Sequence, residues 1–137
     1  MFHAESITIA TPGRGSEEIT AAVRRVVASS GIKVGLCTVF IHHTSASLVI
    51  TENADPDVRR DLQEYLERLV QDGDPHFRHT AEGPDDMSAH VRSALTQTSL
   101  SIPVREAKPD LGVWQGVFLL EHRTAPHRRR VTISVNG

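Results

Sequence analysis

Apolar and polar positions along the chain change period several times, and each change marks a boundary between elements. Residues 2–10 alternate loosely, which predicts a half-buried strand. Thr11-Pro12-Gly13-Arg14-Gly15 then reads as a turn. Ser16 suits a helix N-cap, and Glu17 and Glu18 suit the positive end of a helix. Ile19, Val23, Val26 and Val27 form one apolar stripe that Gly31 ends. Residues 34–42 are rich in β-branched side chains and predict a buried strand, and residues 47–51 predict another. Asp55, Pro56 and Asp57 supply a cap, a favoured first helical residue and an acidic first turn. Val58, Leu62, Leu66, Leu69 and Val70 follow at helical spacing until Asp72-Gly73-Asp74-Pro75 breaks the run. A further helix is expected over about 87–97, with Val91, Ala94 and Leu95 on its apolar side. Strands are expected over 99–104, 113–122 and 129–135, with residues 108–112 as turn chemistry. The order β-α-β-β-α-α-β-β-β predicts an α+β fold, a mostly antiparallel sheet system with packed helices, in one domain spanning residues 1–137.

Composition narrows the function only slightly. The chain is 39% hydrophobic and 23% charged, as an ordinary globular protein is. Its formal net charge of −2 gives no reason to expect nucleic acid as a partner. Arg128-Arg129-Arg130 is the one basic run, and it reads either as a hairpin entering the last strand or as a phosphate-binding patch. Cys37 is the single cysteine, which excludes an internal disulfide; it reads as a buried thiol and suits a reducing compartment. The N-terminus shows no basic segment followed by an apolar one, and no apolar run reaches membrane-crossing length. A cytoplasmic protein without a membrane partner is expected.

The chemistry concentrates in two polar clusters. The stretch from His79 to His90 carries two imidazoles and the carboxyls of Glu82, Asp85 and Asp86. Asp86 and His90 lie four apart on one helical face, so the carboxylate can orient the imidazole, or both can reach one cation. His79 and Glu82 sit on a loop that Gly83-Pro84 must turn, and the helix N-terminus behind it offers N–H groups to phosphate. The plainer alternatives are a capping role for Asp85 or Asp86 and a surface role for His79; the spacing matches no standard zinc signature. Upstream, His42 and His43 end a strand and point to opposite faces, so only one of them faces a given pocket. Thr44, Ser45 and Ser47 offer hydroxyls to a ligand, or simply hold a strand-end turn. Trp114, between Gly112 and Gly116, reads as a core aromatic beside a bulge or as part of a close backbone approach. Glu121-His122-Arg123 reads as a rim ion pair with a further polar wall.

Several of these segments resemble the YjbQ-like family, described as secondary thiamine-phosphate synthases. The matching segments are His43-Thr-Ser-Ala-Ser-Leu48, Glu52-Asn-Ala-Asp-Pro-Asp57, Glu82-Gly-Pro-Asp-Asp-Met-Ser-Ala-His90, Thr98-Ser-Leu-Ser-Ile-Pro103 and Leu111-Gly-Val-Trp-Gln-Gly116, in the same order across the whole chain. The resemblance implies a compact sandwich, a homotrimer, and a metal held among histidines near subunit interfaces. It points to His43, His79 and His90 as metal ligands, with zinc as the first choice and magnesium as the second. Glu82, Asp85 and Asp86 would then orient ligands or move protons. Thr44, Ser45, Ser47, Trp114, Gln115 and Gly116 would wall a small phosphorylated or heterocyclic substrate. The implied activity joins a thiazole phosphate to a pyrimidine pyrophosphate with loss of pyrophosphate. Magnesium held by carboxylates suits that leaving group better than zinc held by imidazoles. A metal-dependent hydrolase and a non-enzymatic metal- or metabolite-binding trimer therefore stay open beside the synthase reading.

Overall fold

A computed structural model describes residues 1–137. Its elements are β1 (Phe2–Thr11), β2 (Gly15–Glu18), α1 (Thr20–Ser30), β3 (Gly35–Ile41), β4 (Ala46–Glu52), α2 (Pro56–Leu69), α3 (Asp86–Leu95), β5 (Ser99–Arg105), β6 (Lys108–Pro109), β7 (Gln115–Glu121) and β8 (His127–Asn136). The strands make two antiparallel sheets, one in the order β1-β8-β3-β5-β6 and the other in the order β2-β7-β4. The fold is thus the α+β arrangement that the patterning predicts. No helix is long and apolar enough to cross a membrane.

Strand alternation decides which side chains meet. In β8, Arg129, Val131, Ile133 and Val135 point inward while Arg128 and Arg130 point out. Val131, Ile133 and Val135 join Cys37, Val39 and Ile41 of β3 and the α1 stripe of Val23, Val26 and Val27 in the main core, which Leu48, Val117 and Leu119 of the smaller sheet close from the other side. Burial pushes the Cys37 thiol up to about 11, so it is an inert part of this core. In β7 every residue from Gly116 to Glu121 is buried. Its alternate residue Phe118 lies under Arg59 of α2, whose guanidinium sits 4.8 Å from the ring centre, so this strand is covered on both faces.

Local signals set most helix ends. The Asp55 carboxylate accepts the Asp57 N–H at 2.9 Å and Pro56 opens α2, while Gly31 ends α1 in the left-handed region at φ 71°. One expected start moves: Ser16, Glu17 and Glu18 belong to β2, not to the first turn of α1. Their backbone pairs with Leu120, Leu119 and Phe118 of β7, and that ladder outweighs a cap signal that the sequence displays locally. Two residues beyond, the Thr20 hydroxyl donates to Glu18 at 2.8 Å and accepts the Val117 N–H at 2.9 Å. The reversal expected over 108–112 comes earlier, because Glu106 and Ala107 both adopt positive φ and fold Lys108–Pro109 back on β5 as β6.

The end of β7 corrects another expectation. Glu121 and His122 are fully buried and form no rim. Glu121 accepts from Arg129 at 2.5 and 2.8 Å and from the Thr11 hydroxyl at 2.7 Å. His122 shares a 2.8 Å hydrogen bond with the Ser47 hydroxyl. Burial first, and the nearby Arg92 charge second, push the His122 imidazole down to about 4.

These buried groups set the acid limit of stability. His122 is neutral in the fold but protonates below its ordinary 6.5 once the chain unfolds, so stability falls as pH drops from 6.5 towards about 4. Glu121 acts lower down. Burial works to raise its carboxyl, but Arg129, Thr11 and the Arg123 N–H hold it below the ordinary value, and its contribution is lost as pH falls through that lowered value. Urea unfolding from pH 7 to 4 should show a loss on the order of 3 kcal/mol from His122. The His122→Asn variant should lose about one proton's worth of slope in that window. An unchanged slope in the variant would contradict a buried neutral imidazole.

Candidate metal and acid–base site

The loop between α2 and α3 doubles back before the helix starts. Gly73 and Gly83 take positive φ, and the Gly73 N–H donates to the Pro84 carbonyl at 2.9 Å. Behind the loop, Asp72 accepts from Arg14 at 2.9 Å, from Arg92 at 3.3 Å and from the Ser88 hydroxyl, while Arg92 donates to the Val70 carbonyl at 2.6 Å. These contacts fix the base of α3 and return His79 to its first turn.

Arg123, just beyond β7, then sets the carboxylates. Its Nε donates to Asp85 Oδ2 at 3.0 Å, its Nη1 to Asp86 Oδ1 at 2.8 Å, and its Nη2 to the Glu82 carbonyl at 3.1 Å. Asp85 stands at the N-cap position of α3 but makes no side-chain cap bond. Its carboxylate instead takes the N–H and hydroxyl of Thr124 at 3.0 and 3.1 Å. Burial works to raise the Asp85 carboxyl, but the Thr124 N–H and the Arg123 guanidinium outweigh it and bring it to about 2. Asp86 is also held below the ordinary carboxylate value, burial being outweighed by the His79 and Glu82 side chains and then by the charges of His90 and Arg123.

With Oδ1 engaged by Arg123, Asp86 turns Oδ2 towards two imidazoles. His79 Nε2 lies 2.7 Å from it and His90 Nε2 lies 3.0 Å from it, the latter one helical turn along, as the i,i+4 spacing predicts. The other nitrogen of His90, Nδ1, lies 2.8 Å from the Thr44 carbonyl. A carbonyl can only accept, so Nδ1 carries a hydrogen, and Nε2 meets Asp86 either as a donor or, when it carries no hydrogen, as a lone pair. That lone pair faces a carboxylate oxygen, and the contact is attractive only with a proton or a metal ion between them. One ligand atom each from His79, Asp86 and His90 lies within 4.8 Å of the other two.

Two clefts flank this group. One, of about 380 Å³, is bounded by Gly73, Asp74, Pro75, Phe77, His79 and Gly83 among others. The second, of about 270 Å³, is bounded by His43, Thr44, His90, Ser93, Ala94 and Thr98. His43 therefore shares a cleft with His90 but stands outside the convergent group, where the third side chain beside the two histidines is Asp86. The strand end explains this placement: His43 Nε2 accepts the Arg130 N–H at 2.7 Å. Burial, then the Arg129 charge, lower the His43 pKa.

The other expected site residues are spread more widely. Thr44 lines the second cleft and gives its carbonyl to His90. Ser45 accepts from Arg129 at 2.9 Å, and Ser47 lies between His122 and the Thr96 hydroxyl; both serines are buried. The Glu82 side chain is exposed on the loop. Trp114, Gln115 and Gly116 line neither cleft. Their loop is closed by the Gln115 side chain on the Gly112 N–H at 2.8 Å and by the Asn53 N–H on the Trp114 carbonyl at 3.0 Å. Gly116 is a packing position, since a Cβ there would lie 2.9 Å from the Phe118 ring and 3.0 Å from Asn53 Cβ. Two contributors have no local signature in the sequence. Arg123 lies far along the chain from the aspartates it holds, and the Thr44 carbonyl is backbone.

Residues 5–137 match the family model described as UPF0047 protein YjbQ-like. A UPF0047 protein of Synechocystis is 52% identical over 135 residues, covering 98% of this chain and 92% of its own length. The UPF0047 protein YjbQ of Escherichia coli is 35% identical over 138 residues, covering 100% and 99%. Among solved structures, a hypothetical protein of Aeropyrum pernix superposes with a TM-score of 0.89 at 27% identity, covering 98% of each chain. A conserved hypothetical protein of Thermus thermophilus gives 0.84 at 33% identity, covering 94% of this chain and 97% of that one.

Removing the Arg123 guanidinium should leave two largely buried carboxylates without their cation. Arg123→Gln is expected to cost about 3–5 kcal/mol and to speed amide exchange over residues 79–86. Arg60→Gln breaks only an exposed i,i+4 pair with Glu64 and should cost less than about 0.5 kcal/mol. Equal losses in the two variants by denaturant unfolding would contradict this role for Arg123.

Proposed function

We propose that this chain, which belongs to the UPF0047 YjbQ-like family, is a metal-dependent enzyme acting on a small phosphorylated or heterocyclic substrate. The observation that carries the reading is the convergence of His79 Nε2 and His90 Nε2 on one Asp86 oxygen, with His90 oriented by the Thr44 carbonyl at its Nδ1. Two imidazoles and one carboxylate suit zinc first, because magnesium prefers an oxygen shell. When bound, such an ion supplies Lewis-acid polarisation and a more acidic bound water. The chain's own residues do the rest. Thr44 fixes the His90 tautomer, Arg123 holds Asp86 in line, and half-exposed His79 borders the 380 Å³ cleft, where a substrate gains access. Glu82, exposed on the same loop, is the group available to move a proton.

Thiamine-phosphate synthase activity, with release of pyrophosphate, is the transfer reaction to assay first. One observation favours a metal-dependent hydrolase instead: neither cleft is bordered by Lys or Arg, so neither offers a cationic cradle to a leaving pyrophosphate. Assembly as a homotrimer forms part of the proposal. It is supported by the display of Val113 and Trp114, 79% and 61% exposed, on a loop that Asn53 holds rigid.

Zinc titration of chelator-treated protein should give about one ion per chain. Asp86→Asn and His90→Ala should each weaken it about a hundredfold, and His43→Ala should leave it in place. Loss in His43→Ala equal to that in His90→Ala would contradict the two-histidine, one-aspartate set. Pyrophosphate release from the synthase substrates that disappears in Asp86→Asn would support the transferase. Metal-dependent turnover of phosphate esters alone would support the hydrolase. In light scattering, Trp114→Ala should lower the mass from trimer towards monomer, and an unchanged mass would contradict that loop's role in assembly.

A further inference from the structure

We infer that the outer face of the five-stranded sheet carries an oxyanion-binding site of the phosphate class, built from Arg130, Ser6, Thr132 and His42. Strand alternation divides the basic run of β8. Arg129 points inward and is neutralised by Glu121, whereas Arg128 and Arg130 point outward and neither forms an ion pair with a carboxylate. Arg130 Nη2 instead lies 3.5 Å from the Ser6 hydroxyl. Ser6 and Thr132, partners in the β1–β8 ladder, join their hydroxyls at 2.8 Å, and His42 Nε2 reaches the Thr132 hydroxyl at 2.7 Å. The His42 ring packs edge-on against Phe40, with centroids 5.0 Å apart.

A guanidinium, two hydroxyls and an imidazole are thus joined across β1, β8 and the residue that follows β3, and all four can donate hydrogen bonds. No outward-facing position of β1, β8, β3 or β5 is Asp or Glu, so nothing on this face neutralises Arg130. Arg128 stands two residues away on the same side and adds to the positive field. A planar guanidinium beside fixed hydroxyls is the arrangement that tetrahedral oxyanions take up, and rigid strands keep it in place without a ligand. The inference does not rest on the metal reading, since it shares no residue with His79, Asp86 or His90. The next residue after His42 is His43, which borders the cleft beside His90, so the two sites adjoin along the chain.

The test is a titration of the full chain with inorganic phosphate at fixed ionic strength, followed by amide NMR shifts, with chloride as the control anion. Saturable shifts at Ser6, His42, Arg130 and Thr132 are expected with phosphate and not with chloride. Arg130→Gln should weaken the binding about tenfold or more. Ser6→Ala should weaken it as well while keeping the guanidinium, which separates a built site from simple attraction to positive charge. Zinc binding should be unchanged in both variants, so failure here is distinguishable from failure of the metal site. Equal responses to the two anions, shifts centred elsewhere, or full phosphate binding in Arg130→Gln would overturn the inference.

Discussion

The hydrogen bonds of Arg123 connect three segments that would otherwise have no reason to meet. One guanidinium takes an oxygen from Asp85, an oxygen from Asp86 and the carbonyl of Glu82, so the acidic loop is docked on the end of the central strand of the smaller sheet. The consequence is chemical as well as structural. With one Asp86 oxygen committed to Arg123, the other can only face His79 and His90. Two carboxylates meet one guanidinium, which leaves about one negative charge where two imidazoles converge. The ion pair behind His43 is different, because Glu121 and Arg129 match one for one. That surplus charge suits the first group to the proposed cation, whereas the charges of the second cancel.

The sheets supply the rigidity that this arrangement needs. Thr44 follows β3 and places its carbonyl against His90, and the ladder from β4 to β7 fixes the distance between Thr44 and Arg123. The site is therefore assembled from a helix start, a strand end and a strand exit. Each is anchored by a core whose largest members, such as Phe118, Ile41 and Leu48, are almost wholly enclosed.

Much of this was legible in the residues. The Asp55-Pro56-Asp57 start of α2 and the period-2 strands are local signals, and the structure keeps them. So is the Asp86–His90 spacing, which needs only a helix to bring the two groups together. Other features depend on partners distant in sequence. Ser16-Glu17-Glu18 has the chemistry of a helix start, but pairing with β7 makes it a strand. Glu121 and His122 look like rim residues because polar side chains usually end strands. Arg129, Thr11 and Ser47 supply the buried partners that no window around residue 121 contains. The family resemblance groups His43 with His79 and His90, yet the Arg130 N–H occupies its Nε2. Arg130 itself lies in a run of three arginines whose members differ in role only because a strand sends neighbours to opposite faces.

On the proposed reading, His79, Asp86 and His90 form one cation site whose ligand count is fixed by Thr44 and Arg123. X-ray absorption spectroscopy of the zinc-loaded protein tests it most directly, because imidazole rings give a countable scattering signature. Two imidazole nitrogens at about 2.0–2.1 Å and one carboxylate oxygen are expected, with the rest of the shell filled from solvent. Three imidazoles would return His43 to the ligand set, and none would place the ion elsewhere; either result would contradict the claim.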